Sequence, residues 1–181
     1  MNNTILPLIF FFFFILGCKE RTTKLTPKEI KMVINAIDYI QEKKTLDIQN
    51  CYFVYPRFGG FPISRNKKFQ NLLEKWDIND WEVLKIDSEK MYFNKYSPAL
   101  DTLSTCTKSE HLIVFSGPTD KAIIANIFMN RSADGSYEKF KSRSIEDLNS
   151  MLRYNTLVSY LFILDEQGKI LDEESYIEMF D

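Results

Sequence analysis

From Ile5 to Leu16 the chain carries twelve consecutive apolar residues, counting Pro7, followed by Gly17 and Cys18. A helix needs about 20 such residues to cross the hydrocarbon of a bilayer. The run is therefore too short for a membrane span, and its length matches the hydrophobic stretch of a secretory signal. The folding unit is expected to start after it. Five of the fifteen Phe lie at positions 10–14, so the folded part is less aromatic than the overall 14% implies.

The end of the run carries the sharpest motif in the chain. Ile15-Leu16-Gly17-Cys18 resembles a bacterial lipobox. In that family a lipoprotein signal peptidase cuts before a Cys whose sulfur already carries a diacylglycerol. Cys suits the role because its thiolate is nucleophilic, and Gly17 suits a tight peptidase site. Ile15 is too bulky for the ordinary signal peptidase, which takes small residues at that place. Cys18-Lys19-Glu20 in turn resembles the surface-export signal of Bacteroidota lipoproteins. The resemblance implies a signal peptide over residues 1–17 and lipid attachment (palmitate-type chains) at Cys18. It also implies a location on the bacterial cell envelope, at the outer membrane or cell surface. Two acyl chains meet the requirement for stable anchoring.

Charge narrows the function classes. The chain has 23 Lys and Arg against 25 Asp and Glu, for a net charge of -2. That balance argues against a nucleic-acid partner, which favours a basic excess. One His and three Cys, in no zinc-binding spacing, argue against a classical zinc site. No Pro- or Gly-rich linker divides the rest, so residues 18–25 read as a tether and 26–181 as a single domain.

Local patterns predict the elements. Thr26-Pro27-Lys28-Glu29 is a capping box with Pro at the first helical position. Ile30, Val33, Ile34, Ile37 and Ile40 follow as an apolar stripe. A strand is predicted over 51–55, and a second helix with Asn66 as its cap and Phe69, Leu72, Leu73 and Trp76 on one face. Residues 81–87, 91–96, 111–115, 122–129 and 156–164 read as strands, and 97–110 as a loop with room for one helical turn. A third helix is predicted from Ser144 through Leu152. Asp165-Glu166-Gln167-Gly168 reads as a hairpin turn into a short strand ending at Leu171. This order predicts an α+β domain with a mixed or mainly antiparallel sheet and two or three helices packed on one face. The turn at Phe115-Ser116-Gly117-Pro118 is similar to one in small secreted Bacteroidota proteins, a resemblance that carries no active site.

Candidate chemistry is sparse. Cys51 and Cys106 allow one disulfide, which an exported protein can form; two separate thiols are slightly favoured, because sequence does not fix a pairing. Cys106 and His111 form a conceivable nucleophile–base pair without a supporting motif. Asp165, Glu166, Asp172, Glu173 and Glu174 are an acidic cluster lacking the ligand alternation of a calcium loop. Tyr55, Arg57, Phe58 and Phe61 surround two glycines and two prolines, an arrangement that can present rings to a glycan or protein ligand. No catalytic, cofactor or metal residue is predicted. The expected role is a non-catalytic binding or accessory module, with a membrane partner through the lipid anchor. The alternatives are a carboxylate-dependent hydrolase and an inhibitor or immunity lipoprotein.

Overall fold

The computed structural model describes residues 24–43, 51–58, 66–78, 96–106, 109, 111–117, 119–129 and 156–177. Cys18, Phe61, the strand predicted over 81–87, all but Tyr96 of the strand predicted over 91–96, and the helix predicted from Ser144 lie outside them. The described elements are helices α1 (Pro27–Lys43), α2 (Lys67–Lys75) and α3 (Pro98–Asp101), with strands β1 (Phe53–Val54), β2 (His111–Phe115), β3 (Ala122–Met129), β4 (Thr156–Leu164) and β5 (Ile170–Ile177). The five strands form one sheet in the order β1-β2-β3-β4-β5. β1 is parallel to β2, and the remaining pairs are antiparallel. The architecture is α+β with a mixed sheet.

Two helices, α1 and α3, pack on one face as the sequence predicts, and α2 covers the other. Ile123, Ala125 and Ile127 of β3 join Val158, Tyr160, Phe162 and Leu164 of β4 in a core with α1 and with Leu100 of α3. The alternate residues Ala122, Ile124, Leu161 and Ile163 pack instead with Phe69, Leu72 and Leu73 of α2. The sheet is thus covered on both sides. β3 and β4 announce this in their composition, because a strand buried on both faces loses polar alternation and reads as a continuous apolar run.

α1 starts as its capping box requires. The Thr26 N–H donates to Glu29 Oε2 at 2.6 Å, and the Glu29 N–H donates back to Thr26 Oγ1 at 3.2 Å. Its buried face is rotated from the predicted stripe. Met32, Val33, Ala36, Ile37 and Ile40 are buried, whereas Ile34 is 38% exposed. Ala36 lets the helix approach the sheet closely, and the turn between β4 and β5 occupies the space beside Met32.

That turn is fixed by backbone and side chain together. The Gly168 N–H closes it on Asp165 O at 3.0 Å, and Asp165 Oδ1 accepts the Gln167 and Lys169 N–H groups at 2.9 and 2.8 Å. Gly168 has φ +77°, a left-handed conformation that costs glycine nothing. Asn35 of α1 donates to Gly168 O at 2.7 Å. A Cβ at Gly168 would sit 2.9 Å from Met32 Cγ. Gly168→Ala is therefore expected to destabilise the fold by about 1–3 kcal/mol, through backbone strain and overpacking. Thermal unfolding of the variant checks this, and an unchanged midpoint would refute it.

Cys51 and Cys106 are joined by a disulfide, with Cα atoms 5.5 Å apart. This replaces the slight sequence preference for separate thiols. It also removes the Cys106–His111 pair from consideration, because the sulfur is no longer a thiolate. The bridge holds the segment after α3 along β1. There the Thr105 N–H donates to Tyr52 O at 3.1 Å, while Ser104 Oγ and Thr105 Oγ1 accept the Val54 and Tyr52 N–H groups at 3.0 and 3.2 Å. Hydroxyls so complete a ladder that a two-residue strand could not make alone.

Candidate functional site

Of the candidate aromatic loop, Tyr55 is core, Arg57 and Phe58 are partly buried, and Phe61 lies outside the described residues. Tyr55 is only 3% exposed, and its N–H donates to Ile113 O at 2.9 Å, continuing the pairing of β1 with β2. Phe58 is half-buried against the α1-side core, and Arg57 forms a backbone bridge with Tyr96. Tyr55 is therefore withdrawn from the predicted ring platform: extending the strand turns it inward, and burial of its large apolar surface outweighs presentation to solvent.

The acidic cluster is split, and three of its members form the middle of β5 rather than lying beyond a short strand. Asp172 accepts Lys75 Nζ at 2.6 Å and Trp76 Nε1 at 2.8 Å, and Glu174 accepts Lys68 Nζ at 3.5 Å. These two residues meet α2. Glu173 points to the other face, where it accepts the Tyr39 hydroxyl at 2.5 Å and pairs with Lys43 at 3.3 Å. The edge strand is clamped by both helices. Asp172 and Glu174 also accept the N–H groups of Glu173 and Ser175 at 2.9 and 3.2 Å, which blunts the edge against strand addition.

These contacts set the ionisation. Hydrogen bonds from Lys75 and Trp76 hold the Asp172 carboxyl below its usual range, against a smaller opposing effect of desolvation. Burial and the bond to Glu173 raise the Tyr39 hydroxyl, so it stays a donor. A carboxyl pushed down does not serve as a general acid near neutrality, so Asp172 is not the proton donor of a carboxylate pair. The sign for stability follows from the lowered folded-state value. The contribution of Asp172 is present above the unfolded carboxyl range, about pH 4, and is lost as pH falls through the lowered value. Lys75 is 65% exposed, so screening limits the contribution to about 1 kcal/mol or less. Asp172→Asn should flatten the acid limb of a stability–pH curve below about pH 4; an acid limb identical to wild type would contradict the assignment.

A groove of about 720 Å³ lies at the end of the sheet where two hairpin turns meet. In an antiparallel meander, the β2–β3 and β4–β5 turns fall at the same end. They contribute Asp120, Lys121, Asp165 and Glu166 to the rim, and α1 adds Lys28. Ile163, Leu164, Ile78 and Trp76 supply apolar lining. The end of α2 sets the last two. The Asp77 N–H donates to Glu74 O at 3.1 Å, and the Ile78 N–H reaches back to Leu73 O at 2.9 Å. Asp77 between them has φ 51°. This is a Schellman termination with Asp where Gly is usual, and it pairs Ile78 with Leu73 in the α2-side core.

The rim carries both charges on a partly apolar lining, so the groove can bind an amphiphilic ligand by charge and contact. Among the described residues, its lining includes no thiol or imidazole. Among the described residues, no group of three or more His, Cys, Asp or Glu could hold a metal. No helix among them is long and apolar enough to cross a membrane. Sequence reasoning identified both turns but did not join them into one site. The available signal was the pair of charged turn sequences separated by two strands. No protein-family model, curated protein or solved structure matches the chain.

Proposed function

We propose that the chain is a lipid-anchored protein of the bacterial envelope that works as a non-catalytic binding or accessory module, with the groove at the hairpin-turn end as its binding surface. The observation that carries this reading is the disulfide between Cys51 and Cys106. Such bonds persist in oxidising compartments outside the cytosol. The bond points to export independently of the leader and its lipobox-like end. The groove supports binding because it combines apolar lining with opposed charges.

The test is the thiol state in intact cells. Cells are quenched in acid and their proteins alkylated with a mass-shifting maleimide, with and without prior reduction. Export predicts no reactive thiol at Cys51 or Cys106 until reductant is added. Alkylation of both residues without reductant would place the folded chain in a reducing compartment and overturn the reading.

A further inference from the structure

We infer that the hairpin-turn end of the domain faces the bilayer, and that its groove takes the headgroup of a zwitterionic phospholipid from that bilayer. The inference rests on lipid attachment at Cys18, as proposed above. Eight residue steps separate Cys18 from Thr26, the cap of α1. At full extension they reach no more than about 29 Å. The start of α1 is itself part of the groove end. Lys28 lines the groove and pairs with Asp120 of the β2–β3 turn at 3.7 Å. The opposite end of the sheet, where Ile177 pairs with Val158, is set off by the nine residues of β4, about 30 Å. The tether therefore delivers the groove, rather than the far end, to the membrane surface.

Charge complementarity selects the occupant. Lys28 and Lys121 can meet a phosphate, and Asp165 and Glu166 a primary ammonium. Trp76 and Ile163 offer apolar contact to the glycerol and upper acyl region, a setting that suits Trp at a membrane interface. A purely anionic headgroup would leave the lining carboxylates, Asp120, Asp165 and Glu166, facing a like charge.

The experiment uses the full chain, expressed with its leader and purified with its lipid. A photoreactive benzoylphenylalanine replaces either Gln167, in the exposed turn, or Ile177, which is 57% exposed at the far end. The proteins are placed in vesicles of phosphatidylethanolamine or of phosphatidylglycerol and irradiated, and lipid adducts are counted by mass spectrometry. The expected result is several-fold more adduct from position 167 than from 177, and more in phosphatidylethanolamine than in phosphatidylglycerol. Lys28→Glu with Lys121→Glu should lower the position-167 adduct without changing the thermal midpoint by more than a few degrees. Equal adduct at 167 and 177, with lipid present on Cys18, would overturn the orientation. Equal adduct in both lipids would overturn the headgroup assignment. Absence of lipid on Cys18 would defeat the anchoring itself, and this inference with it.

Discussion

Replacing Cys51 and Cys106 together by Ala is expected to remove about 4 kcal/mol of stability, the loop-closure value for the 55-residue separation they span. Single domains of this size hold about 5–15 kcal/mol in total, so the loss is a large share. At about 2–4 °C per kcal/mol, the thermal midpoint should fall by roughly 8–16 °C. The site of the bridge matters beyond chain entropy. β1 is two residues long, and its outer side is satisfied by Ser104 and Thr105, which the bridge holds in place. Without the bridge, that segment must be ordered at its own entropic cost. Reduction of the wild-type protein should lower the midpoint by a similar amount. A shift below about 2 °C, the scale of half a kcal/mol, would show that the bridge is incidental to the fold.

Cys18→Ala is expected to have the larger biological effect. Each buried CH2 of an acyl chain contributes about 0.8 kcal/mol to membrane binding, and two chains give durable attachment where one does not. The variant should lose incorporation of labelled palmitate to background and leave the detergent phase in a two-phase partition. The fold should be untouched, because Leu25 is the first described residue that packs against the core and position 18 lies seven residues before it. Equal labelling of variant and wild type would assign the lipid elsewhere or show that there is none.

Much of the architecture was legible in the sequence where chemistry is local. His111–Phe115, Ala122–Met129 and Thr156–Leu164 are strands with the predicted bounds, because apolar and β-branched runs are stopped by turn residues. Thr26 and Glu29 form the predicted capping box, and Asn66 caps α2 by accepting the Lys68 and Phe69 N–H groups. What was not legible depends on partners remote in sequence. Asp172-Glu173-Glu174 reads as a break after a short strand, yet it is strand because Lys75, Lys68 and Lys43 neutralise it from two helices. The inward turn of Met32 and Ala36, in place of Ile30 and Ile34, is decided by what α1 meets, not by its own periodicity. The groove escaped for the same reason. Its lining comes from α1, the end of α2 and two turns, and no local pattern brings those together. The disulfide lies between: residue types and compartment permitted it, but only the approach of β1 to the segment after α3 makes it.

Intact-mass and peptide mass spectrometry of the native protein, taken from the membrane fraction without reduction, tests the central claim most directly. The account predicts a chain that starts at Cys18 and carries diacylglycerol on its sulfur, with Cys51 and Cys106 recovered as one linked peptide pair. A chain that retains Met1 and a bare thiol at position 18 would contradict it.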